Sequence, residues 1–408
     1  MDSLSLSDLS TEILICMFKY LNIKDLCSLK QTCKRFNEVI KAFENSIVGY
    51  QETLVTNQKD PRFIIRQTSS ERLSNYEKIR IENNWKRGRF KLKNTLLYSR
   101  IKYMSWLELN EECLWVCQGH KLYGFKKDEC LRPCRPIYTI TSNVSNTDIV
   151  KFKVKGNDVL IGKRNGGLCL WSKEQNEFQF DLELHYLDVT CVDISLKENI
   201  FISGFEDGCF AVWEKSSTGS SNLNKRSTRL LPDKIWAATL CDDVPRVAIG
   251  TSGHTYNPIY IHDIDSNSDA MQLGGAQSNG VLDLKWESPW CVWSCGYDGT
   301  LCRWDLRSNE PCVQRFKDPN GMVLYCLELD YHNTVMAGGQ LHSRVSMWDT
   351  RQSKCVQVYF TSSRNSPVYG MSFDSKYLFT VIENSVNILD FSIYNGGKKD
   401  YSKLLVLT

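Results

Sequence analysis

No run of 18 apolar residues occurs in this chain of 408, and no basic leader followed by an apolar core opens it. Membrane spanning and secretion are therefore not expected. Charge of one sign is missing too. Fifty Lys and Arg against 47 Asp and Glu leave a formal +3, too little to announce a nucleic-acid binder. There is no P-loop, no G-x-S-x-G elbow and no G-x-G-x-x-G after a strand, the signatures of nucleotide and hydrolase chemistry. Seventeen cysteines are present, but not the paired C-x-x-C units of a zinc site. Instead Cys113/Cys117, Cys130/Cys134 and Cys291/Cys295 are spaced by four. That spacing turns both thiols to one side of a strand, as small apolar fillers. The setting expected is cytoplasmic or nuclear, where thiols stay reduced. No catalytic residue, metal ligand or cofactor is expected.

The chain is too long for one ordinary core, since domains cluster near ~100–150 residues. A repeat settles how the length is used. The segments KLYGFK, GLCLWS, CFAVWE, PIYIHD, TLCRWD, VSMWDT and VNILDF align on Phe125, Trp171, Trp213, His262, Trp304, Trp348 and Leu389. Successive anchors differ by 41 to 49 in residue number, the period of a propeller blade of four short strands. Inside the fifth unit GVLDLKW, CVWSCGY, TLCRWDL and CVQRFK read as four strands between turn residues. Seven anchors predict a mainly β fold with seven blades. Either 94–100 or 403–408 must close the ring, because an open one leaves a free strand edge; 94–100 is the expected one.

These units resemble the WD repeat. The third carries His185, Ser203, Asp207 and Trp213, which in that family form a hydrogen-bonded chain within each blade. Histidine can bridge an aspartate and a serine, and the indole N–H is a donor only. The fifth keeps Ser294, Asp298 and Trp304 but has Gln277 in the histidine's place, and His262 and Leu389 replace tryptophan elsewhere. A His/Ser/Asp set could suggest hydrolysis, but its recurrence at blade period assigns it to structure.

Residues 1–93 have helical period instead. Leu14, Met17, Phe18 and Leu21 make one apolar stripe. Asn22 reads as the cap of a second helix carrying Leu26, Leu29, Cys33 and Phe36. Two short helices cannot bury both stripes alone, so they need either a partner or the propeller. Residues 9–36 resemble an F-box, with Ser10 where proline is usual and Phe36 where tryptophan is common. The resemblance implies docking on a Skp-type adaptor of a cullin–RING ubiquitin ligase through Leu9, Glu12, Ile13, Leu14, Met17, Phe18, Leu21 and Leu26. Together with NNWKRGRF, GVLDLKWESPW, SCGYDGTLCRWDLR, LYCLELD and SSRNSPVYGMSF, the chain is similar to the dactylin-type F-box/WD-repeat family.

The organisation expected is an F-box at 1–44, a helical, basic linker at 45–93 and a propeller at 94–408. Residues 78–93 hold seven Lys or Arg against Glu82. They read either as a patch for an acidic or nucleic-acid partner, with Trp85 and Phe90 stacking, or as a solvated linker whose aromatics pack between the modules. A protein substrate, phosphorylated or not, is expected on the propeller loops that carry Arg164, Tyr186, Lys234, Tyr297, His342 and Arg364, since guanidinium suits phosphate. The family implies a non-catalytic substrate receptor. The alternative is a scaffold for protein or ribonucleoprotein complexes with no ubiquitin-ligase role.

Overall fold

The computed structural model describes residues 5–21, 23–48, 53–58, 64–96, 104–110, 112–127, 135–141, 147–183, 185–195, 199–215, 223–254, 257–277, 279–383 and 385–394. Seven antiparallel sheets of four strands form a propeller. The innermost strands begin at Leu107, Ile149, Val189, Ile235, Val281, Leu324 and Gly370. We number the blades 1 to 7 in that order. Alternating side chains fill the space between neighbouring sheets, so the core is a ring of apolar wedges and not one central mass. Turns between first and second strands lie on what we call the lower face. Turns between second and third strands, and the loops entering each first strand, lie on the upper face.

Blade 7 contributes only three strands of its own. Lys91–Leu96 supplies the fourth, antiparallel to Ser385–Asp390, with Leu92 opposite Leu389 and Thr95 opposite Val386. The closing strand thus comes from the N-terminal side but starts three residues ahead of 94. Residues 97–100 and 403–408 lie outside the described residues, as do Cys130 and Cys134.

Among the described residues six α-helices precede the propeller: α1 (Thr11–Phe18), α2 (Ile23–Thr32), α3 (Lys34–Ala42), α4 (Glu44–Val48), α5 (Ile64–Glu71) and α6 (Asn75–Lys86). The expected second helix is in fact two. Cys33 adopts an extended conformation, φ −145° and ψ 134°, and breaks the chain between Leu29 and Phe36. The helix α3 so created brings Val39 and Ile40 onto Leu14, Phe18, Leu26 and Phe36, with Ile47 of α4 beneath. Phe18 and Phe36 meet edge to face at 5.5 Å. Arg35 reaches back to the carbonyls of Ser7 and Leu9, tying α3 to the turn before α1. The module therefore closes its own core.

Helix α6 joins the two parts. Its capping box at Ser74 and Glu77 starts it firmly. At that end Tyr76 meets Cys27, its N–H donates to Glu44 at 2.5 Å, and the Lys30 ammonium lies 4.5 Å over its ring. At the other end Trp85 is wholly buried between blades 6 and 7, stacked 3.6 Å from Phe391 with its indole N–H donating to the Ser375 carbonyl. Tyr359 donates to the Trp85 carbonyl, and Asn84 to the carbonyls of Phe391 and Ile393. The segment Thr53–Gln58 packs beneath, with Leu54 N–H on Glu82 and Val55 N–H on Thr334. Phe90 is buried in the same cluster. Of the two readings of residues 78–93, the structure has the aromatics packed; neither can stack on a nucleobase.

Trp85→Ala is expected to destabilise the protein by about 3–5 kcal/mol, the usual cost of emptying a buried indole site. The exposed neighbour change Arg87→Ala should stay within about 0.5 kcal/mol. Urea unfolding of both variants checks the contrast.

Candidate functional site

Three places can carry function: the surface of α1, the channel, and the upper face. On α1 the residues expected to dock divide. Leu14 and Phe18, with Leu26 of α2, are 0–2 % exposed and belong to the module's interior; this corrects their place as surface anchors. Leu9 and Leu21 are half-buried at its margin. Ile13 and Met17 face solvent at 48 % and 41 %, and Tyr20, which sequence reasoning missed, is 91 % exposed. Ile13 and Met17 are i, i+4 on α1 and Tyr20 follows in the turn after it, so an exposed apolar stripe flanks the buried Leu14 and Phe18 face. Glu12 is exposed beside them, its carboxyl held below the usual range by hydrogen bonds from its own backbone N–H and from Ser10. Among the described residues the propeller does not cover this stripe; α6 meets the module through α4 and the Cys27–Lys30 side of α2.

The blade chains depart from the expected pattern in an informative way. In blade 3 Trp213 donates to Ser203 at 2.8 Å, and His185 Nε2 faces Asp207 at 3.2 Å. But His185 Nδ1 accepts the Leu187 N–H, so the bridge from histidine to serine is replaced by one to the loop. That tautomer also argues against a metal among His185, Asp207 and Cys209, although their ligand atoms lie within 4.8 Å of one another. Nε2 carries the proton a metal would have to displace, while Nδ1 is already accepting. In blade 5 the substitute continues the chain. Trp304 donates to Ser294 at 2.7 Å, and Ser294 donates to Gln277. Asp298 is left to cap the turn through the Thr300 N–H and hydroxyl. His262, at the anchor of blade 4, is buried and meets Asp269, which Arg229 of blade 3 also holds. Blade 7, with Leu389 at its anchor, takes its indole from outside: Leu389 and Trp85 share one buried cluster.

A cavity of about 560 Å³ runs along the channel, walled by the innermost strands. Glu108, Asp193 and Asp283 on blades 1, 3 and 5 each accept a backbone N–H from the next blade, those of Val154, Leu240 and Leu327, at 2.6 to 2.9 Å. Lys153 pairs with Glu108, Lys155 with Asp242 and Lys285 with Glu328. Lys151 lies 3.3 Å over the Trp106 ring, and burial pulls its pKa down. Most of the channel's charge is thus spent on joining blades. The cysteine pairs sit where fillers belong. Cys113, Cys117, Cys291 and Cys295 are buried, and burial pushes the Cys117 thiol up to about 12.

On the upper face the expected substrate residues do not converge. Arg164 is paired with Asp188 at 2.9 Å and Lys234 with Glu206. Tyr186 is 99 % exposed. His342 has φ 62°, its N–H held by Asn365. Arg364 is exposed, with its backbone tied to Ser362 and Ser343. Tyr297 packs against Trp236, ring centres 5.3 Å apart.

Comparison with known proteins agrees with this anatomy. Residues 6–43 match the family described as F-box-like. Over 324 residues, 77% of the chain, the sequence is 28% identical to "F-box/WD repeat-containing protein 4" of Homo sapiens, covering 76% of that protein. The Mus musculus protein of the same name gives 28% and covers 77% of its length. "WD repeat-containing protein 18" of Danio rerio is 23% identical over 220 residues, 49% of each chain. Among solved structures, the computationally designed Ika8 protein superposes with a TM-score of 0.54 at 16% identity, covering 70% of this chain and 82% of the other, a likeness of fold alone. The chain thus joins an F-box-like module to a seven-bladed propeller, and over most of its length it is similar to F-box/WD-repeat proteins.

Ser294→Ala should cost about 1–3 kcal/mol, since it strands both the Trp304 indole N–H and the Gln277 amide inside blade 5. Urea unfolding followed by tryptophan emission measures it.

Proposed function

We propose that the protein is a non-catalytic substrate receptor of an SCF-type cullin–RING ubiquitin ligase: α1 docks on a Skp-type adaptor and the propeller holds a protein for ubiquitination by other subunits. F-box domains generally bind Skp adaptors, and the module here matches that family. The observation that carries the reading is the uncovered stripe of Ile13, Met17 and Tyr20 on a module whose own core is already complete. An apolar helix face left exposed by all the described residues is the form in which a helix enters a partner's groove. The scaffold alternative gives that stripe no role.

Co-purification of the full chain with a Skp-type adaptor tests it. Ile13→Asp with Met17→Asp should weaken capture at least about thirtyfold, the loss of one or more anchor contacts of about 2 kcal/mol, without lowering the unfolding temperature. No capture by the parent protein, or undiminished capture by the double variant, rejects the reading. Leu14→Asp is the contrasting control: it should unfold the module itself.

A further inference from the structure

Four aromatic side chains occupy one sector of the channel's upper mouth and take no part in the blade chains. Trp236 and Tyr325 are each the extra residue of a β-bulge near the head of an innermost strand, where register skips between Ile235 and Ala237 and between Leu324 and Cys326. Such a bulge re-aims the side chain it carries. The same skip in blades 2, 3 and 5 falls on Val150, Thr190 and Leu282. The position is therefore aromatic in blades 4 and 6 and small or aliphatic in blades 2, 3 and 5. Tyr369 stands just before the innermost strand of blade 7, and Tyr297 follows the second strand of blade 5.

The four form a line. Trp236 and Tyr297 are 5.3 Å apart at 43°, and Tyr325 meets Tyr369 edge to face at 5.7 Å. Burial, then the neighbouring Tyr297, pushes the Tyr325 hydroxyl up; burial, then Tyr325 and Glu383, does the same for Tyr369. Both remain protonated donors at neutral pH. Among the described residues the Trp236 indole N–H and the three hydroxyls have no hydrogen-bond partner. Of the nearby charges Lys234 is matched by Glu206 and Arg164 by Asp188, and the Glu383 carboxylate stands beside Tyr369. The sector offers aromatic faces and uncommitted neutral donors, and little free charge.

We propose that this sector binds an extended, unphosphorylated proline-rich segment of the substrate, its rings lying on the two aromatic pairs and its carbonyls accepting from the free donors. This rests on the reading that the propeller holds the substrate. A polyproline II segment has no internal hydrogen bonds, so its carbonyls are available. It is stiff before it binds and loses little entropy. Aromatic-lined grooves are how such segments are read. A phosphate, by contrast, needs a guanidinium close at hand; Arg164 is committed to Asp188, Arg364 is not one of the side chains of this sector, and the Glu383 carboxylate beside Tyr369 would repel it.

Fluorescence anisotropy on the full chain, with a labelled oligoproline peptide and a phosphoserine-bearing acidic peptide of equal length, decides it. Saturable oligoproline binding is expected. It should weaken about tenfold or more in Tyr297→Ala, and likewise in Tyr325→Phe with Tyr369→Phe, which removes only hydroxyls and spares the fold. Adaptor capture should be unchanged in both. Three results overturn the proposal: no saturation at millimolar oligoproline, equal binding by the variants, or tighter phosphopeptide binding that Arg364→Ala abolishes. Adaptor capture by a protein that ignores oligoproline rejects this proposal alone; oligoproline binding without adaptor capture rejects the receptor reading instead.

Discussion

The burial of Trp85 against Phe391 couples two problems that a propeller with an appended module must solve together. A seven-sheet ring is stable only when closed, because an open blade exposes a strand edge and an apolar sheet face. Here the closing strand, Lys91–Leu96, follows α6 after a turn at Gly88, whose φ of 61° brings its backbone against the Gln357 side chain, where a Cβ would stand only 3.0 Å from the amide nitrogen. The residues that anchor α6 and those that close the ring are consecutive. Loosening the indole therefore loosens the start of the closing strand, and the module's attachment and the ring's integrity become one property. The four hydrogen bonds onto the carbonyls of Phe391, Ser392 and Ile393, from Arg80 and Asn84, act in the same direction, fixing the chain that leaves blade 7.

The channel supports this closure in a second way. Carboxylates on blades 1, 3 and 5 grip backbone N–H groups of blades 2, 4 and 6, so the ring is stitched pairwise from within. Hydrogen bonds to charged acceptors are stronger than neutral ones, and in a channel they are shielded from competing water. Lysines on blades 2 and 5 then offset those charges. The carboxylates of the channel are thus engaged in structure.

Period made the blades legible in the sequence: seven anchors at similar intervals, four apolar runs per unit, and a polar chain recognisable in blades 3 and 5. What failed to show was how local loops would use the same residue types. The second nitrogen of His185 is taken by the Leu187 N–H because the loop turns back on it, and no spacing encodes that turn. Gln277 stands for histidine because its amide oxygen reaches Ser294, a matter of reach that residue class hides. On the helices, the periodic stripe Leu14, Met17, Phe18, Leu21 ran together two faces, since every position from 13 to 18 is apolar. Only the third helix decides which face lies inside. That helix was written in Phe36, Val39, Ile40 and Phe43, with i, i+3, i+4, i+7 spacing, but the extended Cys33 that begins it has no strong sequence signal. The bulged aromatics of blades 4 and 6 were hidden for a related reason: a bulge adds one residue without changing the apolar run around it.

The two surfaces face apart. Trp85 contacts the turn at Ser375, Val55 contacts the start of the second strand of blade 6 at Thr334, and Phe391 ends a third strand; all lie at the lower face, and with them the helical module. Trp236, Tyr325 and Tyr369 stand at the heads of innermost strands, on the upper face. Strands of six to eight residues separate these ends in blades 4 to 6, about 20 Å at the usual rise per residue. An adaptor on α1 and a peptide at the mouth would therefore not compete for space. The stack of sheets between them holds their separation nearly fixed, because neither strands nor the wedged α6 can bend without breaking the closure described above. On the proposed reading, any flexibility needed to bring a held protein to a distant transfer centre would then have to come from that protein or from other subunits, since closed sheets and a wedged helix give this chain little of it.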